Sequence, residues 1–102
     1  VEVNMKTTFR VYQCREKGKR KPVYTGTTRT PISKRMSSFK SAAKAGKRTE
    51  PVNEWLCGIG FDNLCYTIVG EFSNEARAKR YEEQLIAEET HVSKGGYNVR
   101  RR

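Results

Sequence analysis

The most restrictive feature of the chain is a change of period between residues 22 and 46. The stretch PVYTGTTRTPISKRMSSF occupies residues 22–39. Its first part, VYTGT, alternates β-branched and aromatic residues with small ones and predicts a short strand. Thr30-Pro31 then marks a helix start, with Thr30 as N-cap and Pro31 in the first helical position. Ile32, Met36, Phe39 and Ala43 follow at helical spacing and form an apolar stripe, while Lys34, Lys40 and Lys44 lie off it. Gly46 ends the helix. A strand feeding straight into an amphipathic helix requires a sheet with helices packed on it.

The remaining segments fit that plan. TFRVYQC, residues 8–14, predicts a strand that pairs antiparallel with VYTGT through the connection REKGKRKP. KRTEP is a loop, and VNEWLCGIG a shorter helix that buries Trp55 and Leu56 and ends near Gly58 or Gly60. LCYTIVGEF, residues 64–72, predicts a third, buried strand. Ser73 caps a long helix, NEARAKRYEEQLIAEET, with Glu75 early in it, where the helix dipole favours an acid. The expected fold is α/β (α+β): a small, mostly antiparallel three-stranded sheet flanked by helices, in the order β-β-α-α-β-α. Residues 1–102 make a single domain with one modest core, and a basic tail begins at about residue 99. Met5 offers a natural start, with VEVN before it.

Charge narrows the partner. Residues 1–48 hold 14 Lys and Arg against two acids, whereas residues 49–102 hold seven against nine. A basic half joined to a faintly acidic one predicts a polyanionic partner on one face. Arg15, Lys17, Lys19, Arg20 and Lys21 make the first connection a basic finger. No apolar run approaches the ~20 residues of a membrane span, so no membrane partner is expected. The three cysteines, Cys14, Cys57 and Cys65, form an odd set without a leader segment, which predicts a reducing compartment, the cytoplasm. CGIGFDNLC is not a zinc spacing.

Glu82 is the most informative single residue. The last helix has an apolar stripe of Ala78, Tyr81 and Leu85 with Ile86 alongside, and Glu82 lies on its inward side. Glu83 points elsewhere, where Lys79 four residues earlier can pair with it. A carboxylate beside a core stripe must be paired, protonated or bound to a metal. A surface Glu at the stripe's edge, or one bridged to Arg35, is the plain alternative.

The arrangement resembles the GIY-YIG nuclease domain. Arg10-Val11-Tyr12 stands for the first family motif and Tyr24-Thr25-Gly26 for the second, with eleven residues between the two tyrosines. Arg35 matches the family's helix Arg, Glu82 in EEQLI its catalytic Glu, and Asn98 in GYN its C-terminal Asn, so the resemblance spans residues 9–98. Two positions depart: Arg10 replaces the motif Gly, and Phe39 stands where many members carry a His, which implies altered proton handling.

The resemblance implies a metal-dependent endonuclease that hydrolyses phosphodiester bonds, DNA in preference to RNA. Glu82 would hold one divalent ion, Mg²⁺ or Mn²⁺. Tyr12 would act on the water as general base or position it, with Arg10, two residues away, able to supply the positive charge that a phenol needs to ionise. Tyr24 would bond the water or the scissile phosphate, and Arg35 would clamp phosphate oxygens. Gly26 would let the backbone approach the substrate closely, and Asn98 would fix local structure. Arg10, Lys17, Lys19, Arg20, Lys21, Arg29, Lys34, Lys40 and Lys44 are the candidate nucleic-acid contacts, giving salt-sensitive affinity without sequence information. With no room for a recognition domain, the chain would cut with little sequence preference, form a homo-oligomer, or borrow specificity from a partner protein, as suits a phage or mobile-element nuclease. The alternatives are a catalytically inactive DNA-binding module of the same fold, favoured by Arg10 and Phe39, and a small RNA-binding protein.

Overall fold

β1 (Phe9–Glu16) forms the centre of the sheet, because both of its edges carry partners. β2 (Tyr24–Thr28) and β3 (Leu64–Phe72) flank it, each antiparallel to it, in the order β2-β1-β3. The computed structural model describes residues 8–46 and 51–98. The expected basic tail and most of the KRTEP loop lie outside the described residues. α1 (Ile32–Ala45) and α2 (Pro51–Ile59) follow β2, and α3 (Glu75–Leu85) follows β3, which gives the expected order β-β-α-α-β-α.

Strand alternation makes two cores from one strand. Phe9 and Val11 of β1 pack with Ala78 and Leu85 of α3. Tyr12 and Cys14 pack on the other side with Met36 and Phe39 of α1 and Val52 and Leu56 of α2. The helices therefore cover both faces. The register on the β3 side shifts between Val11, opposite Gly70, and Tyr12, opposite Ile68, so Val69 is an extra residue in β3. Val69 packs with the α3 core.

Several local expectations change. Thr30 does not cap α1: its hydroxyl lies 2.8 Å from that of Thr28, and Pro31 takes the cap position without a side-chain bond. Asn74, not Ser73, caps α3, its Oδ1 accepting from the Arg77 N–H at 3.1 Å. Ser73 is one residue too early for that reach. β3 is an edge strand rather than a buried one, and Tyr66 on it is 43% exposed. Of the two expected apolar anchors in α2, Leu56 is buried, whereas Trp55 is half-buried and stacks on Tyr97 at 5.7 Å. Gly46 does end α1, in the left-handed conformation at φ 71°.

Past α3 the helix widens into one π-type turn, Ile86–Thr90, closed by the His91 N–H donating to the Ile86 carbonyl at 2.8 Å. That turn brings Thr90 against β2, where its hydroxyl lies 2.8 Å from that of Thr25. The chain then returns alongside β2, and the Tyr97 N–H donates to the Val23 carbonyl at 2.6 Å.

Candidate active site at the β2 edge

The candidate residues converge from both faces of the sheet onto β2, the edge strand. Alternation turns Tyr24 toward the α1 core and Thr25 and Thr27 toward α3. On the α1 side, Arg35 sits one turn into its helix, and its Nε donates to the Tyr12 hydroxyl at 2.7 Å. Its guanidinium lies 4.7 Å from the centre of the Phe39 ring, a cation–π contact. Phe39 in turn meets Tyr24 edge-on at 6.2 Å, and Tyr24 lies 6.3 Å from Tyr12. Phe39, where the resemblance suggests a His, is thus the buried floor under Arg35.

Burial dominates the electrostatics here. Tyr12 is fully buried, and this pushes its phenol well above the usual range, with Tyr24 adding to the rise and Arg35 opposing it. Burial also raises Tyr24, against the pull of the Arg35 charge and with a further push from Glu82. Cys14 is pushed up to about 12 by burial. For Arg35 itself, burial works against the charge, but the Tyr12 and Tyr24 hydroxyls outweigh it, and the guanidinium stays charged. Arg35, not Arg10, is the positive charge beside Tyr12, but it does not overcome the burial; Arg10 instead forms an ion pair with Glu71 at 3.5 Å across the β1–β3 pair.

Gly26 lies directly opposite Tyr12 in the β1–β2 ladder. A β-carbon there would come within 2.5 Å of the Tyr12 hydroxyl oxygen and 2.7 Å of the ring carbon bearing it. The glycine is needed to seat the Tyr12 ring, a different reason from the substrate approach expected.

Glu82 enters from the α3 side, its side chain only 14% exposed. Thr27 donates its hydroxyl to Glu82 Oε1 at 2.9 Å, and the Lys79 ammonium lies 3.4 Å from the same oxygen. Lys79 thus pairs with Glu82, three residues on, rather than with Glu83. Asn98 is buried and pairs with the Thr25 backbone, accepting from its N–H at 2.7 Å and donating to its carbonyl at 3.0 Å. In an antiparallel ladder these outward-facing groups recur at every second residue, so the Thr27 N–H and C=O also face the outer edge of β2, which carries no strand there among the described residues.

Among the described residues, no three His, Cys, Asp or Glu side chains gather as a metal cage. The donor set at Glu82 nonetheless suits Mg²⁺: a hard carboxylate, with both of its contacts on Oε1, leaves Oε2 for an ion that keeps most of its waters and takes phosphate oxygens as ligands.

The basic candidates divide. Arg29, Lys34 and Arg35 line an open groove of about 1030 Å³ together with Thr27, Thr28 and Ser38. Lys17, Lys19, Arg20 and Lys21 sit on the β1–β2 connection, at the opposite end of β2 from Arg29. Lys19 pairs with Glu16 at 3.5 Å, and Lys21 donates to the Lys94 carbonyl at 2.8 Å. Lys40 turns toward the Phe61 ring, 5.9 Å away, and Lys44 is exposed in the last turn of α1. Sequence reasoning missed Thr27 and the Gln13–Thr25–Thr90 hydroxyl network; the run of Thr from 25 to 30 was the available signal.

No match was found among curated proteins or among solved structures. A family model, the GIY-YIG catalytic domain, matches residues 8–98, nearly the whole chain and the segment holding every residue just described as meeting at β2. This chain is a member of the GIY-YIG family of nuclease domains.

Proposed function

We propose that the protein is a metal-dependent endonuclease that hydrolyses DNA phosphodiester bonds at the open edge of β2. The observation that carries this is the meeting of Arg35 with two tyrosines on one face of β2 and of Glu82 on the other, in a chain of a nuclease family. Arg35 binds the phosphoryl oxygens, for which its planar fork is suited. Glu82, steadied by Thr27, holds the divalent ion, which when bound neutralises charge on those oxygens as a Lewis acid. Tyr24, only half-buried, hydrogen-bonds the attacking water or the scissile phosphate. Tyr12 keeps its proton, because burial favours the neutral phenol, and its work is to hold Arg35 in place. The Thr27 N–H, facing the open edge, offers a further donor to the phosphate.

Flanking phosphates follow the groove beside Arg35, lined by Arg29, Lys34 and hydroxyl side chains. Backbone contacts of this kind carry affinity but little sequence preference, so specificity is low or comes from a partner. The full burial of Tyr12 and the apolar floor at Phe39 favour a second reading, a DNA-binding module without catalysis.

A supercoiled-plasmid nicking assay at low salt separates the two. Wild-type protein with Mg²⁺ nicks, while wild type with EDTA and Glu82→Ala with Mg²⁺ do not. Equal nicking by Glu82→Ala removes Glu82 from the site. No nicking by wild type, with salt-sensitive binding retained, supports the non-catalytic module.

A further inference from the structure

We propose that Thr27 is a positioning residue for the metal-binding carboxylate: its hydroxyl fixes Glu82 so that Oε2 is presented to the ion. The inference rests on the reading of Glu82 as the residue that holds that ion. Three observations carry it. The Thr27 hydroxyl donates to Oε1 at 2.9 Å in a partly buried setting, where a bond to a charged acceptor is strong. β2 turns two threonines toward α3, but Thr25 is committed to Thr90 and its backbone to Asn98, which leaves Thr27 to meet Glu82. Both contacts of the carboxylate, Thr27 and Lys79, fall on Oε1, so the pair selects which oxygen remains available.

Thr27 is not needed to dock α3. Ala78 and Leu85 already bury against Phe9 and Val11, and the π-type turn is tied to β2 through Thr90. A hydroxyl retained at a partly buried carboxylate, where the helix is otherwise anchored, serves the carboxylate. It restricts the rotamers of Glu82 before the ion arrives, so less ordering remains for binding to achieve. Outer partners of metal ligands commonly change metal affinity by about 10- to 100-fold when removed. The Lys79 side chain is 54% exposed and three residues back on the same helix, so it is the weaker of the two restraints.

The test uses Thr27→Val, which keeps shape and strand preference but lacks the donor, and Thr27→Ser, which keeps the donor. Mn²⁺ is titrated into each DNA-free full-length protein and free ion is followed by its electron paramagnetic resonance signal. Glu82→Gln serves as the reference without a site. The expected result is a dissociation constant about 10-fold higher for Thr27→Val and within about twofold of wild type for Thr27→Ser. In the nicking assay the Mn²⁺ concentration for half-maximal rate shifts in parallel, while the saturated rate changes less. A merely structural Thr27 would lower thermal stability without moving Mn²⁺ affinity, and that result overturns the proposal. Equal Mn²⁺ binding by wild type and Glu82→Gln overturns the assignment of Glu82 as well, whereas loss in Glu82→Gln alone, with Thr27→Val unchanged, overturns only the role of Thr27.

Discussion

Gly26→Ala tests how tightly the candidate site is built. The new methyl would sit 2.5 Å from the Tyr12 hydroxyl oxygen, 2.7 Å from Cζ and 3.1 Å from Cε2. An ordinary carbon contact is roughly 3.5–4.0 Å, so the ring must move by about 1 Å. It has nowhere to go: Tyr12 is fully buried among Cys14, Met36, Phe39 and Leu56, and Arg35 holds its hydroxyl. Overpacking of this kind costs about 1–3 kcal/mol, and three close contacts on a boxed aromatic put it near the top of that span. Replacing Gly by Ala in a strand returns roughly 0.5–1 kcal/mol of backbone entropy. The net loss is about 2 kcal/mol, or a Tm lower by roughly 8–16 °C for a domain of this size. Urea denaturation and calorimetry read it directly. Tyr12→Phe in the Gly26→Ala background removes the 2.5 Å contact but leaves the one to Cζ, so it relieves part of the loss. The double-mutant cycle then shows a coupling of at least about 0.5 kcal/mol. A Gly26→Ala protein as stable as wild type, with no coupling to Tyr12, refutes the reasoning.

Four further outcomes follow from the same geometry. Arg35→Lys keeps a charge but loses the planar fork, so it drops nicking by about 10²-fold or more, measured as the initial rate at saturating Mg²⁺. Asn98→Ala removes two buried bonds to the Thr25 backbone and lowers the urea unfolding free energy by about 2–3 kcal/mol. Lys34→Ala, in the groove, reduces the slope of log binding constant against log salt by about 0.9 in a duplex anisotropy titration, whereas Lys40→Ala, turned to Phe61, reduces it less. Alkaline pH destabilises the fold: burial raises Cys14 to about 12 and Tyr12 upward, so the folded state holds protons that the unfolded state releases. Their stabilising contribution is complete below the ordinary thiol and phenol values. It is lost as pH climbs from there toward the folded values, at up to about 1.4 kcal/mol per pH unit for each group. Cys14→Val should flatten part of the decline in urea midpoint between about pH 9 and 10, where the thiol contributes ahead of the buried phenols.

Much of this architecture was legible because it depends on local pattern. The Ile32–Met36–Phe39–Ala43 spacing gave α1, Gly46 its end, and the β-branched segments gave three strands in the right order. Capping was less legible, since Thr30 and Thr28 compete for each other's hydroxyls and Asn74 lies one residue nearer the helix than Ser73. Which strand lies at the centre depends on long-range pairing. LCYTIVGEF is the more β-prone segment, yet the chain places it at the edge and puts FRVYQCRE in the middle. The partner of a side chain was harder still. Lys79 could reach Glu82 or Glu83 at helical spacing, and only the packing of α3 against β2 decides for Glu82. Asn98 was visible as a conspicuous residue after a Gly pair, but its pairing with Thr25 requires the chain to fold back across 73 residues.

The use of an edge strand explains why so short a domain can assemble these groups. A central strand offers side chains to two faces but has its backbone filled on both sides. Among the described residues β2 has only β1 as a strand neighbour, so Tyr24 and Arg35 on one face and Thr27 and Glu82 on the other are separated by a single strand's thickness. An open strand edge is also a liability, because it invites pairing with another chain. Asn98 answers that liability at Thr25 by supplying an amide side chain that mimics a neighbouring strand. Among the described residues no backbone partner meets the edge one step further on, at Thr27, between Arg35 and Glu82. Filling Thr25 while leaving Thr27 without a backbone partner there among the described residues turns an aggregation-prone edge into a short backbone opening flanked by a guanidinium and a carboxylate, the setting in which the proposed phosphodiester substrate would be held.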